Sequence, residues 1–289
     1  MDLLGYDFMQ RALLAAVLIG VIAPTVGVHL VQRRLALVGD GMGHVALTGV
    51  AVGVLTSRSP VWTALALAVA GAVTIELVRA VGRTSGDVAL ALLFYGGIAG
   101  GVVLLSQAPD GTPTNLDAYL FGAITTTTPA DLGAFVILTC GVLLVTVGLG
   151  RYLFAVSSDE EFARAAGLPV LALNLLLAVV TAATVVVSMR VVGLLLVSAL
   201  MVVPVATGQL VARSFRGTVT ASMLIGLVVS TAGVVVSFYA GTPSGGTIVL
   251  LAIALFGVVT AGSALHARRT RRRPAAPLVG VEGGAGGER

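Results

Sequence analysis

Apolar residues come in long unbroken stretches, not in the alternating or one-faced patterns of a water-soluble fold. Nine runs stand out, at 10–31, 36–56, 61–80, 88–106, 131–149, 170–189, 191–211, 219–239 and 247–266. A helix needs about 20 mostly apolar residues to cross the hydrocarbon core of a bilayer, and each run is close to that length. Lipid offers no partner for backbone N–H and C=O groups, so a crossing segment must be a helix or part of a closed barrel. The runs lack the short alternation of lipid-facing and lumen-facing positions that a barrel strand shows. The pattern therefore predicts an all-α, polytopic transmembrane bundle of about eight or nine spanning helices within residues 1–266. Runs six and seven meet around Met189–Val191, so a shorter or re-entrant helix is expected there.

Two intervals between runs are long. The first, 107–130, contains DAYLFG, expected to be a short helix on the membrane face. The second, 150–169, contains SSDEEFARAAGLP. Ser157 or Ser158 could cap a short helix there, with Asp159, Glu160 and Glu161 at its positive N-terminal end. Phe162, Ala165 and Ala166 give that helix a small apolar face, and Gly167–Leu168–Pro169 ends it. A short amphipathic helix between two spans must rest on lipid or on a soluble partner. Three acids disfavour an anionic lipid surface and favour the partner. Residues 267–289 are basic and then rich in Pro, Gly and Ala, and are expected to be a disordered cytoplasmic tail.

Composition agrees with the pattern. The 289 residues are 57% hydrophobic and only 10% charged, with a mean hydropathy of +1.05; a soluble domain carries roughly a quarter charged residues. The first run is followed by equally apolar sequence, so it reads as a span and not as a cleaved signal peptide. The net charge of +4 does not indicate nucleic acid, because the basic residues sit at run ends and in the tail. With the tail in the cytoplasm and nine alternating crossings, 14 of the 17 basic residues fall inside, leaving Arg11, Arg58 and Arg190 outside. That bias is the positive-inside signature of a cell-membrane protein with a cytoplasmic C-terminus. All 17 are arginine; there is no lysine. A Walker A loop needs its lysine on the nucleotide phosphates, so this chain is not expected to be an enzyme that hydrolyses ATP. The single cysteine, Cys140, allows neither an internal disulfide nor a thiolate cluster.

Candidate chemistry is sparse. Asp40 and His44, in RRLALVGDGMGHVALTGVAVG, lie one helical turn apart on one face. Ionisable groups inside a membrane cost several kcal/mol, roughly, unless paired or hydrated. The two could be a structural pair, a link between helices, or one wall of a site for a divalent ion, since carboxylate with imidazole suits zinc, manganese or iron(II). Glu76 stands three residues before Arg79, as for a local ion pair, and His29 stands one turn before Gln32 and Arg33. Pro204 removes a helix hydrogen bond and frees the carbonyl of Leu200, and the neighbouring Met201 offers a soft sulfur; these three could line a path or simply shape the helix. Glycine pairs at four-residue spacing, Gly39 with Gly43, Gly49 with Gly53, Gly96 with Gly100 and Gly97 with Gly101, fit close helix approach.

Over residues 8–266 the chain resembles the permease subunits of zinc, manganese and iron ABC importers. The resemblance rests on RRLALVGDGMGHVALTGVAVG, DAYLFGAITTTTPADL, SSDEEFARAAGLP, MRVVGLLLVSALMVVPVATGQLVAR and SFYAGTPSGGTIVLLAIALF, in that order. It implies a type II importer-like fold and a homodimer joined to a cytoplasmic ABC ATPase dimer, fed by an extracellular metal-binding protein. It implies that Asp40 and His44 line the metal path and that the helix around Asp159, Glu160, Glu161, Phe162, Ala165 and Gly167 couples to the ATPase. The segment around Pro204 matches a pathway-lining helix. The family often carries larger residues where Gly41 and Gly43 stand. The implied cargo is Zn2+ or Mn2+, with ATP on the partner and no permanently bound cofactor. Two other readings remain at this stage: a proton-coupled secondary transporter using Asp40 and His44 as a relay, and a permease for iron chelates or a cobalamin-like cargo.

Overall fold

The computed structural model describes residues 5–82, 86–107, 120–122, 128–189 and 191–271. Among these there is no strand, and the helices are α1 (Asp7–Gln32), α2 (Val38–Leu55), α3 (Pro60–Val81), α4 (Gly86–Leu105), α5 (Pro129–Gly148), α6 (Gly150–Ser158), α7 (Glu160–Ala165), α8 (Val170–Met189), α9 (Val197–Val211), α10 (Phe215–Ala240) and α11 (Ser244–Arg271). Eight of them are long and apolar enough to cross a membrane. The exception among the nine expected runs is the seventh. It begins with a turn at Val191–Val192 and a 3-10 turn at Leu194–Leu196, and only its last 15 residues form a helix, α9. At 1.5 Å per residue α9 spans about 22 Å, short of the ~30 Å core. The shorter helix expected after Met189 is therefore α9.

Among the described residues, α1–α5 and α8–α11 run back and forth between two ends. The ends of α1, α6 and the start of α10 share one end, where Phe215 packs on Phe154 with ring centres 4.4 Å apart and on His29 at 5.5 Å. The start of α1 and the end of α10 share the opposite end, where Tyr6, Phe8 and Phe238 cluster. Aromatic side chains at both ends are what membrane interfaces favour. Outward-facing Leu92, Tyr95, Ile137, Leu144, Val147, Leu250 and Val258 are all at least half exposed, the surface that lipid covers. Cys140 lies on this surface of α5. DAYLFG lies outside the described residues except for Leu120–Gly122. α11 continues to Arg271, past the expected boundary at 266, and residues 272–289 lie outside the described ones.

Small residues set the packing. A Cβ on Gly97 of α4 would sit 2.6 Å from the His44 backbone, so the missing side chain is what lets α4 touch α2 there. Thr48 fixes the same contact by donating to the Gly97 carbonyl at 2.7 Å. Gly49 and Gly53 face Ala64 and Pro60 of α3 in the same way, whereas Gly96 faces open space. Between α1 and α10, Pro24 removes the hydrogen bond that the Gly20 carbonyl would have accepted, and that carbonyl lies against Gly226. Ser230 donates to the Ala16 carbonyl at 2.8 Å, one turn earlier. Without a hydrophobic force between helices in lipid, such close contact and polar bonding hold the bundle together.

Candidate functional site

Asp40 lies in the first turn of α2 and His44 in the second, so both side chains leave the helix on one face. His44 is 6% exposed. Across from them stands the start of α9. The Ser198 side chain faces the Asp40 carboxylate, and the Met201 sulfur lies 3.2 Å from where a Cβ of Gly39 would be. Phe94 of α4 meets the His44 ring edge-on at 4.5 Å and 73°. The space left by Gly41 and Gly43 is taken by Leu90, Leu93 and Leu194, so those glycines bring neighbouring helices close and do not widen a channel.

The Nδ1 atom of His44 is buried and has no hydrogen-bond partner in the structure. A buried polar atom left without a partner costs about 1–3 kcal/mol, and such an atom needs an explanation. An imidazole one turn from a carboxylate, with a hydroxyl and a thioether on the facing α9, offers donor types that suit a first-row divalent ion. Among the described residues no three His, Cys, Asp or Glu side chains gather to hold a metal. Two strong donors with weaker helpers suit an ion that must also leave. Of the other expected path residues, Leu200, Met201 and Pro204 are all buried in α9, and Met201 is the one that faces α2. Ser198 was not anticipated. Its signal was its place three residues before Met201, one turn away on the same helix face.

The acidic interval folds as two helices, not one. α6 ends at Ser158, the chain turns extended at Asp159 (φ −153°), and Asp159 caps α7 by accepting from the Phe162 N–H at 2.9 Å. The expected cap at Ser157 or Ser158 is thus corrected: both belong to the last turn of α6. Gly167, at φ +79°, supplies the left-handed residue that closes α7, with Leu168 N–H donating to Ala163 and Gly167 N–H to Arg164. Ala163 is buried against the bundle, while Asp159, Glu161, Phe162, Ala165 and Ala166 are exposed. The apolar face of α7 therefore points away from the protein, with Phe162 69% exposed.

α7 is tied to the end of α1. Arg33 Nη2 lies 3.1 Å from Glu160 Oε2, and Arg164 holds the other oxygen of Glu160 at 3.1 Å. Gln32 donates to Ser158 at 3.2 Å, and Ser157 lies 3.4 Å from His29 Nδ1. Glu76 pairs with Arg79 at 2.9 Å, as its spacing predicted. Burial pulls the Arg33 guanidinium below its ordinary pKa, and the Glu76 and Glu160 carboxylates oppose that shift.

The sequence profile of the ABC 3 transport family matches residues 5–262. A protein of Treponema pallidum called a "Probable metal transport system membrane protein" is 34% identical over 199 residues, which are 68% of this chain and 73% of that one. The "Manganese transport system membrane protein MntC" of Halalkalibacterium halodurans is 32% identical over 198 residues, 68% of each chain. Among solved structures, PsaBC from Streptococcus pneumoniae in complex with Fab superposes with a TM-score of 0.80 at 28% identity, covering 89% of this chain and 92% of that one.

Proposed function

Because the chain belongs to the ABC 3 transport family, we propose that it is the membrane permease subunit of an ATP-driven importer carrying a divalent metal ion into the cytoplasm. The observation that carries this reading is the Asp40–His44 wall inside the bundle, with a buried imidazole nitrogen that no protein group satisfies. The cargo is a bare ion and not a chelate, since the donors are side-chain atoms packed between helices. Manganese is favoured over zinc: the Ser198 hydroxyl adds a hard oxygen donor, and several relatives are named as manganese transporters.

The end of the bundle that carries α7 is the cytoplasmic one. Arg33, Arg34, Arg79, Arg151, Arg164, Arg213 and Arg216 lie at that end, against Arg11 and Arg58 at the other. α7, with Phe162 exposed and Glu161 beside it, then presents a docking face to a cytoplasmic ABC ATPase. The working unit is two copies of this chain with two ATPases, supplied by an extracellular metal-binding protein. An ion released into the outer mouth exchanges part of its hydration shell for Asp40 and His44. Movement of α7, driven by the ATPases, opens the path inward.

The test is uptake of labelled manganese and zinc by proteoliposomes holding the permease–ATPase complex, supplied with the metal-binding protein. Wild type should accumulate ion only with ATP. Asp40→Asn and His44→Ala should each lower uptake at least about tenfold, the scale of losing one metal-site contact, while still assembling with the ATPase. Undiminished uptake in both variants would remove the pair from the path. ATP-independent uptake driven by a proton gradient would establish a secondary transporter instead.

A further inference from the structure

The contacts between α7 and the end of α1 lead directly to the ion pair. Glu160 is the first residue of α7, and its carboxylate holds Arg33, whose side chain is only 8% exposed. Arg33 caps α1, and the chain reverses at once. Leu35 N–H donates to Leu30 at 2.9 Å and Arg34 N–H to Val31 at 3.0 Å, with Arg34 left-handed at φ +59°. This is the hydrogen-bond pattern of a Schellman closure, which fixes the turn rather than leaving it loose. By Val38 the chain is helical again, and Asp40 follows two residues later. Between Arg33 and Asp40 there is no slack linker.

Arg33 also borders a second polar site. It lines a cavity of about 30 Å³ together with Glu76, Arg79 and Asn174. Asn174 Oδ1 is buried there without a hydrogen-bond partner, although Asn174 is only 5% exposed. A vacant acceptor beside the Glu76 carboxylate, one oxygen of which Arg79 already holds at 2.9 Å, is a landing site for a guanidinium, which donates several hydrogen bonds from one planar group. Coupling between distant sites requires an element with two discrete arrangements that both sites bias.

We propose that Arg33 is a two-position relay: it pairs with Glu160 in the state seen here and turns to Asn174 and Glu76 when α7 is displaced, carrying the start of α2, and with it Asp40 and His44, along. Arg33 is thus a positioning residue that acts on the ion through α2. This rests on the reading of α7 as the ATPase-docking helix.

The experiment measures ions taken up per ATP hydrolysed in proteoliposomes of the full permease–ATPase complex. It compares wild type with Arg33→Gln, Arg33→Lys, Glu160→Gln, Asn174→Leu and the Arg33→Gln/Glu160→Gln double variant. Arg33→Gln and Glu160→Gln should each lower the ratio roughly tenfold, within the usual range of coupling between sites, and in Arg33→Gln the ATPase should still co-purify and still hydrolyse ATP. The double variant should be no worse than the worse single, because both remove one shared contact. Arg33→Lys should retain part of the coupling. Asn174→Leu should lower the ratio while leaving the resting Arg33–Glu160 pair intact. A double variant whose loss is the product of the two single losses would overturn the relay, as would an unchanged ratio in Arg33→Gln. Loss of ATPase co-purification in Arg33→Gln would also overturn it, reducing the pair to a docking contact. If wild type shows no ATP-dependent uptake, the importer reading itself fails, and that outcome is distinct from every variant result.

Discussion

His44 and Asp40 could be found from sequence because lipid makes every ionisable group conspicuous: each must be paired, hydrated or functional. Ser198 could not, because serine is common in membrane helices and its approach to Asp40 crosses from α9 to α2. Its hydroxyl faces the carboxylate and adds an oxygen to the same wall. Ser198→Ala is therefore expected to lower ion affinity roughly tenfold, visible as a raised half-saturating manganese concentration with maximal uptake largely kept. An equal fall in maximal uptake with no change in half-saturation would show that Ser198 acts on opening and not on holding the ion.

Between elements, the glycines make a sharper test than the apolar residues. Gly96 and Gly97 are neighbours on α4 with opposite surroundings: open space beside Gly96 and the His44 backbone beside Gly97. Gly96→Ala should be neutral or slightly stabilising, as alanine suits a helix by about 1 kcal/mol. Gly97→Ala should destabilise by about 1–3 kcal/mol through overpacking and loosen Phe94 against His44. Thermal unfolding of the two purified variants in one detergent separates these outcomes, and equal melting points would refute the packing assignment. Helix ends give a second test. Ser57 is left-handed at φ +54° where α2 closes, with Arg58 N–H donating to Gly53. A side chain in that conformation costs roughly 1–2 kcal/mol, so Ser57→Gly should raise the melting temperature; a fall would mean that the serine makes compensating bonds. Run boundaries were legible because apolar length is dictated by the bilayer. The break at Asp159 was not, since hydropathy reports which solvent a segment meets and is blind to where its backbone turns.

For the molecule as a whole, the distribution of arginine is the argument for the proposed orientation, and the lone cysteine makes that testable. Cys140 faces the lipid surface of α5, so Cys140→Ser should leave transport unaltered and give a clean background. In it, Arg58→Cys should react with a membrane-impermeant maleimide added to intact cells, and Arg164→Cys only after permeabilisation. The reverse pattern would put α7 outside and remove its role as an ATPase contact. The seventh crossing bears on tempo. Its first half, Val191–Leu196, is a turn and a 3-10 segment: the Val192 and Gly193 N–H groups still close the end of α8 on Ser188 and Met189, Gly193 stands at φ +86°, and the Val191 carbonyl is held by the Ser244 hydroxyl at 2.7 Å. A helix that must unwind to let cargo by waits on local unfolding, a matter of microseconds to seconds, whereas rotation about a glycine joint belongs to loop motion, of order nanoseconds to microseconds. The first half of this crossing can thus breathe while α8 and α10 on either side stay wound. Amide deuterium uptake should record this as a short fast-exchanging stretch at 191–196 set between two slow helices.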